Sequence, residues 1–221
     1  MKYGILFTTV AVLLATTAFI HGGWYRLALW PSLSFALIAF GYFGLGPAIY
    51  AKSADGRLAI ANQLMLLPYL VYTWSVWHIL RIVKRESAVD QLTDHIYIGR
   101  RLLAHELPDQ IDHVIDLTCE FSEPKRLRSK SYHSFPILDA FVPPLESLQQ
   151  WVARVSTLSG NVYIHCAEGH GRTGLFAVAL LLQTGHSQSP ADAVQFIQSK
   201  RPLVRLGKRQ FQVLNQFHES R

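Results

Sequence analysis

Charged side chains are scarce in the first third of this sequence, and that scarcity limits its fold more than any other feature. Residues 1–80 hold five of them: Lys2, Arg26, Lys52, Asp55 and Arg57. The whole chain is 50% hydrophobic and 16% charged, whereas about 25% is charged in an ordinary soluble domain. We therefore divide the chain into a membrane anchor at 1–85 and a globular domain at 86–221.

Three uncharged stretches in the first part favour a helical anchor. Two transmembrane helices are predicted at about 4–20 and 30–50, with a His-Gly-Gly turn between them. The third stretch, 58–80, is rich in tyrosine and tryptophan, which prefer the headgroup region of a bilayer. It is predicted either to lie in the interface or to cross as a third span. A cleaved signal peptide is the alternative for the first helix, but no clear cleavage site follows it.

The charges that flank these stretches bear on the topology. If only the first two stretches cross, Arg26 alone among the flanking basic residues lies outside, whereas three spans divide the basic residues almost evenly. Because basic residues are retained on the cytoplasmic side, we favour two spans, with the globular domain in the cytoplasm. The two cysteines, Cys119 and Cys166, suit such a reducing compartment. No basic cluster interleaved with aromatic residues accompanies the net charge of +6, so no nucleic-acid partner is predicted.

Strand and helix patterns alternate after residue 90, which predicts an α/β domain with a central, mostly parallel sheet flanked by helices. Strands are predicted at 95–99, 113–117, 135–138 and 162–165, and a helical turn at 102–106. Helices are predicted at 145–158, 172–184, 190–200 and 208–218. The helix at 172–184 is apolar nearly all round, so it should be buried.

One segment, 165–174, carries the chemistry; it reads His-Cys-Ala-Glu-Gly-His-Gly-Arg-Thr-Gly between a buried strand and the buried helix. Backbone N–H groups there can turn inward around a dianionic phosphate, with Gly169 and Gly171 permitting positive φ. The N-terminus of the following helix attracts the same anion. Arg172 adds a planar fork that can hold two phosphate oxygens. The predicted phosphate-binding residues are Ala167, Glu168, Gly169, His170, Gly171 and Arg172.

The same positive field acts on Cys166, which we expect to be a thiolate able to attack phosphorus directly. Thr173 can donate a hydrogen bond to that sulfur when it later leaves. His165 is expected to order the backbone by hydrogen bonding. No His, Cys and Asp cluster with metal-ligand spacing stands out, so neither a metal nor a cofactor is predicted.

This segment resembles the signature HCxxGxxR[ST]G of the cysteine-based protein tyrosine phosphatases. The stretch 135–144, with Asp139 at 27 residues before Cys166 and a Pro-Pro pair after it, resembles the acid loop of the small atypical dual-specificity phosphatases. The resemblance covers about residues 90–221 and implies that Asp139 is the general acid. The alternative is that Asp139 caps the following helix. An anchor before such a domain is similar to some bacterial relatives, which suggests a bacterial inner membrane.

The resemblance gives two further residues possible roles. Cys119 could trap an oxidised nucleophile as a disulfide, as a second cysteine does in some relatives, or be a small apolar core residue. Gln210 could position the hydrolytic water, or face solvent on its helix.

The substrate stays open at this level. Relatives that act on highly phosphorylated inositol lipids carry lysines in the loop, whereas this chain has Ala167, Glu168 and His170. Glu168 would repel a substrate with several phosphates if it pointed inward; alternatively it pairs with a neighbouring arginine. The short acid loop implies a shallow pocket, so the predicted substrate is a phosphotyrosine, phosphoserine or phosphothreonine protein near the membrane, and the alternative is a membrane lipid or an inositol phosphate. A non-catalytic phosphate-binding module is the alternative from another class, and the oligomeric state is open.

Overall fold

The computed structural model describes residues 2–220. Its internal contacts divide it into two compact units. The first unit comprises residues 1–85 together with the short segment 119–122, and the second comprises residues 86–118 and 123–221.

The first unit is helical. Its long helices are α1 (Lys2–His21), α2 (Leu29–Phe40) and α3 (Ile60–Val83), and irregular helical turns cover Gly23–Ala28, Gly41–Leu45 and Gly46–Tyr50. By length and composition, three stretches of the described chain could cross a membrane: Lys2–His21, Gly23–Tyr50 and Ile60–Val83. Within the apolar pattern at 58–80, residues 60–80 all belong to the continuous helix α3, which has Pro68 inside it.

Polar side chains of the first unit donate hydrogen bonds to backbone carbonyls of neighbouring helices. Pro68 has no N–H to offer the carbonyl one turn earlier. Trp30 Nε1 donates to that carbonyl, Leu64 O, at 3.1 Å. Ser32 Oγ donates to Ala11 O at 2.7 Å and links α2 to α1. Such bonds between helices hold apolar helices together where the hydrophobic effect contributes little.

The second unit is built on a five-stranded sheet. Its strands are β1 (Val89–Gln91), β2 (Ile96–Arg100), β3 (His113–Asp116), β4 (Ser131–Ser134) and β5 (Val162–Cys166). The strand order is β1-β2-β5-β3-β4; β1 is antiparallel to β2, and the other pairs are parallel. Because β5 is central, the residues at its carboxyl end lie over the middle of the sheet. This position is where open α/β sheets bind ligands.

Helices cover the sheet and bury its core. They are α4 (Lys125–Arg128), α5 (Leu145–Ser156), α6 (Gly171–Gln183), α7 (Pro190–Lys200) and α8 (Lys208–Glu219). The main core joins Ile98 and Ile164 of the sheet to Phe176 of α6. Every residue from 172 to 182 in α6 is buried, as the all-round apolar pattern predicts. The predicted α/β domain with a mostly parallel sheet and flanking helices is thus confirmed, and in the sequence it follows apolar N-terminal helices.

Two strands differ from the sequence prediction. The fourth strand lies at Ser131–Ser134, not at 135–138, and β1 was not predicted. The apolar letters of 135–138 point to a strand, but Pro136 has no N–H, so the ladder ends there. Phe135 N still donates to Asp116 O at 2.8 Å and Ile137 N to Leu117 O at 3.2 Å, but these two bonds do not continue the regular pairing of a strand. The polar residues of β4 carry no strand pattern because only His133 among them is buried.

Candidate active site

The phosphate loop connects the end of β5 to the start of α6. Within it, Gly169 N donates to Cys166 Sγ at 3.2 Å, and the thiol is 4% exposed. Gly169 has φ of +77°, and a Cβ there would lie 2.4 Å from Gly99 O. Only glycine fits both the left-handed backbone and this close approach to β2. The positive φ expected at Gly169 is therefore present.

Gly171 differs from that expectation. It is the first residue of α6, where the backbone is already helical. A Cβ at Gly171 would approach only Gln210 Nε2, at 3.6 Å, which is ordinary contact. One left-handed glycine is enough to turn this loop.

Each backbone carbonyl between 167 and 171 has a donor outside the loop or in the next turn of α6. The pairs are Arg101 N with Ala167 O at 3.1 Å, Arg201 Nη2 with Glu168 O at 2.9 Å, Arg201 Nε with Gly169 O at 2.9 Å, Gly174 N with His170 O at 2.7 Å, and Gln210 Nε2 with Gly171 O at 3.1 Å. The C=O and N–H of a planar trans peptide point in opposite directions. Carbonyls held on the outside therefore leave the amides facing inward, as an anion cradle requires.

Arg172 joins the loop to the predicted acid loop. It is 2% exposed, and its Nη1 donates to Ile137 O at 2.9 Å. Its Nη2 lies 3.3 Å from Asp139 Oδ1. The fold thus places the two motifs that the sequence singled out side by side.

Asp139 lies on an exposed turn. Its side chain is 71% exposed, and the next residue, Ala140, has φ of +54°. A non-glycine residue in that region is strained, which marks the turn as a constrained feature. Pro144 occupies the cap position of α5, with no side-chain cap bond. Asp139 therefore does not cap this helix.

His165 and Thr173 form no hydrogen bond through their side chains within residues 2–220, although both are buried. The ring of His165 stacks on Tyr163, with centroids 5.4 Å apart. The bond by which His165 was expected to order the loop is not seen among these residues; the ring lies close to Asp116 and Glu123 instead. Donation from Thr173 to the sulfur stays a prediction.

A buried polar cluster next to His165 escaped the sequence analysis. Ligand-type atoms of Asp116, Glu123 and His165 lie within 4.8 Å of one another. Asp116 Oδ1 already accepts from Thr118 Oγ1 at 2.7 Å, and Arg101 Nε lies 2.6 Å from Glu123 Oε1. These donors compete with any cation for the carboxylates of Asp116 and Glu123, whereas both ring nitrogens of His165 have no hydrogen-bond partner among the described residues.

The loop's two ionisable side chains meet at its outer edge. His170 Nδ1 lies 3.7 Å from Glu168 Oε2, and His170 Nε2 lies 2.8 Å from Glu86 Oε2. Glu168 is 37% exposed in its side chain. One neighbour of its carboxylate is thus a histidine of the same loop, and its pairing with an arginine stays a prediction.

The two remaining candidates have defined surroundings. Cys119 is 1% exposed, and its Sγ lies 3.4 Å from Glu120 Oε2; its redox role stays a prediction. Gln210 is 8% exposed. Its Nε2 donates to Gly171 O at 3.1 Å, and its Oε1 accepts from Gly207 N at 2.9 Å. Facing solvent was therefore the wrong alternative for Gln210, whose amide joins α8 to the phosphate loop.

Comparison with known proteins agrees with this geometry. Residues 100–220 match the family model described as "Dual specificity phosphatase, catalytic domain". The match spans more than half of the chain, so the chain belongs to the dual-specificity phosphatase catalytic-domain family.

Among individual relatives, the human protein named "Phosphatidylglycerophosphatase and protein-tyrosine phosphatase 1" is 33% identical over 81 residues. That alignment covers 35% of this chain and 40% of the human protein, so the chain spans well under half the length of its curated relative. The rat protein of the same name is 31% identical over 81 residues, covering 35% of this chain and 42% of its own length.

Solved structures show the same fold. PTPMT1 in complex with PI(5)P has a TM-score of 0.53 at 20% identity, covering 61% of this chain and 96% of that structure. The active form of Tk-PTP has a TM-score of 0.53 at 24% identity, covering 60% and 97%. At such identities the likeness concerns the fold alone.

Proposed function

We propose that this protein hydrolyses phosphate monoesters through a phosphocysteine intermediate. The observation that carries the proposal is the position of the Cys166 sulfur inside a loop whose carbonyls are all held outside, with Gly169 N at 3.2 Å from it. Inward amides stabilise both a thiolate and the oxygens of a phosphoryl group. Membership of the family supports the same chemistry.

The proposed reaction has two steps. A substrate phosphate binds the loop amides and the fork of Arg172. Cys166 attacks phosphorus, so that an S–P bond forms while the ester P–O bond breaks, and Asp139 gives its proton to the leaving oxygen. Asp139 then takes a proton from water, which attacks phosphorus and releases inorganic phosphate. Thr173 donates a hydrogen bond to the departing sulfur.

We propose a membrane phospholipid with one monoester phosphate as the preferred substrate, and a phosphorylated protein near the membrane as the second candidate. Three helical stretches long and apolar enough to cross a membrane precede most of the second unit, which we call the catalytic unit. The name of the curated human relative includes phosphatidylglycerophosphatase. Glu168 lies at the loop's outer edge beside His170, so its charge repels the additional phosphates of a substrate only where they extend over that edge. The same relative's name also includes protein-tyrosine phosphatase. For that reason a phosphorylated protein is the second candidate substrate.

The test uses the full chain in detergent. Release of inorganic phosphate is measured from phosphatidylglycerophosphate in mixed micelles and from phosphotyrosine and phosphothreonine peptides, each with and without EDTA. We expect turnover that EDTA leaves unchanged and the highest kcat/KM with the lipid. A higher kcat/KM with either peptide would reverse the substrate order. Binding of phosphate without any turnover would favour the non-catalytic module.

For the location, we propose a bacterial inner membrane, as the similarity to anchored bacterial relatives suggests, with the catalytic unit in the cytoplasm. The basic residues around the apolar stretches support that side if α3 lies in the interface and does not cross. Alkaline phosphatase fused after Arg221 should be inactive, because that reporter needs the periplasm, whereas a cytoplasmic reporter at the same point should be active. The opposite pair of results would place the catalytic unit on the other side.

A further inference from the structure

Arg201, directly after α7, is buried to an unusual degree for an arginine: it is 1% exposed. Its guanidinium has five N–H donors, and five acceptors lie within 3.1 Å. They are Gly169 O at 2.9 Å from Nε, Glu168 O at 2.9 Å and Glu86 Oε2 at 3.1 Å from Nη2, and Ser87 O at 2.9 Å and Asp90 Oδ2 at 2.7 Å from Nη1. The number of acceptors around the Arg201 guanidinium thus equals the number of its N–H donors.

One side of Arg201 determines the direction of two peptides in the phosphate loop. Nη2 holds Glu168 O, and the N–H of that same peptide belongs to Gly169, which reaches the Cys166 sulfur at 3.2 Å. Nε holds Gly169 O and so directs the N–H of His170 toward the same interior. Of the five loop carbonyls, these two are the pair that a charged side chain holds, and charge-assisted bonds are the stronger kind.

The other side of Arg201 is held by the segment 86–90, which directly follows the apolar part of the sequence. Glu86 has a double role, because its Oε2 also lies 2.8 Å from His170 Nε2. Asp90 belongs to β1, and its Oδ2 lies 2.7 Å from Nη1. The family match begins at residue 100, so a domain boundary drawn there would remove both carboxylates.

We propose that Arg201 is a positioning residue of the active site, and that Glu86 and Asp90 hold it so that the amides of residues 169 and 170 face the reacting sulfur and phosphate. The inference rests on the proposed function, since it assigns these residues to the shape of the same loop. A buried arginine could instead contribute to stability alone. The two roles differ in one respect: only the positioning role changes oxyanion binding and thiol reactivity in a folded protein.

The test compares full-chain Arg201→Lys, Glu86→Gln and Asp90→Asn variants in detergent. Lysine keeps the positive charge but cannot hold three carbonyls and two carboxylates as the planar guanidinium does. Arg100→Lys is the matched control, because Arg100 also makes two bonds to one carboxylate, that of Glu106 at 3.0 and 2.7 Å, and its further bond goes to Arg101 O and not to a loop carbonyl. For each variant the unfolding temperature, kcat and KM are measured, together with the protection of Cys166 from iodoacetamide by vanadate.

We expect Arg201→Lys to lower kcat/KM by about 100-fold, the cost of displacing a catalytic group by about 1 Å, and to weaken vanadate protection. Glu86→Gln and Asp90→Asn should give smaller losses in the same direction, and Arg100→Lys should match wild type in both readouts. A folded Arg201→Lys protein with wild-type protection and turnover would overturn the proposal. If that variant does not fold, folded Glu86→Gln and Asp90→Asn proteins with wild-type protection would overturn it equally. Vanadate protection is read without turnover, so a wild-type protein that binds vanadate but hydrolyses nothing would contradict the proposed function and leave this inference standing.

Discussion

Arg172 Nη2 lies 3.3 Å from Asp139 Oδ1, and the two side chains differ sharply in their surroundings. Arg172 is 2% exposed, whereas the Asp139 side chain is 71% exposed. The buried guanidinium donates to Ile137 O at 2.9 Å, so the carboxylate is the solvent-exposed partner of this ion pair. A phosphate dianion that binds Arg172 would replace the Asp139 carboxylate as the partner of the guanidinium. The carboxyl group of Asp139 would then lie beside the ester oxygen.

This arrangement predicts that Asp139→Asn affects substrates according to their leaving groups. An asparagine cannot donate an acidic proton, and general acid catalysis contributes about 10²- to 10⁴-fold when the leaving oxygen is basic. We expect a large loss of kcat/KM with an alkyl phosphate and a much smaller one with p-nitrophenyl phosphate, whose leaving group needs no proton. Equal losses with both substrates would contradict the acid assignment.

Cys166→Ser should abolish turnover while leaving the fold intact. A serine hydroxyl is not ionised near neutral pH and does not form the S–P bond. Rapid quenching of the wild-type protein with a ³²P-labelled substrate should trap a phosphoenzyme, and the variant should give none. Retained turnover in Cys166→Ser would end the nucleophile assignment.

Gly169→Ala should damage the site through a steric clash in addition to backbone strain. The new Cβ would lie 2.4 Å from Gly99 O, so β2 and the loop must separate. Gly185→Ala is the matched control, because Gly185 has a similar φ of +74° and no atom within 4 Å of its Cβ position. In denaturant unfolding we expect Gly185→Ala to lose about 1–3 kcal/mol of stability from backbone strain and Gly169→Ala to lose more because of the clash, with loss of phosphatase activity only for Gly169→Ala. Equal activity losses would show that the close approach to β2 is unimportant.

His133 in β4 predicts a pH dependence of stability. Burial, followed by the charge of Arg154 and by His113, lowers the pKa of His133 below its ordinary value of 6.5. As the pH falls below that value the unfolded chain binds the proton more readily than the folded one, so the free energy of unfolding decreases. His133→Phe should weaken this loss between about pH 7 and pH 5.

The control for that measurement is His105→Gln, since His105 is exposed on a short turn. Urea unfolding at several pH values should give the same slope of stability against pH for wild type and His105→Gln. A His133→Phe slope that also equals the wild-type slope would assign the acid sensitivity to other groups.

Much of the catalytic unit can be predicted from local patterns in the sequence. The loop at 165–174 is one contiguous segment whose glycines, cysteine and arginine act on a single anion, so its residues identify it without any distant contact. The buried helix α6 follows from its all-round apolar composition. The polar strand β4 carries no such pattern, because its partners are the backbone groups of β3.

The sequence by itself determined the cradle, the nucleophile candidate and the apolar N-terminal part, because each depends on neighbouring residues or on composition. Only the tertiary structure decided what holds that cradle open: Arg201 with Glu86 and Asp90, and Gln210 of α8. These four residues are of types that are usually found at a protein surface. Arg201 and Gln210 become buried, and Glu86 and Asp90 partly buried, because distant segments converge behind the loop. A hydrogen bond between residues more than a hundred positions apart, such as that between Arg201 and Asp90, leaves no periodic trace in a chain and exists only once the sheet has formed.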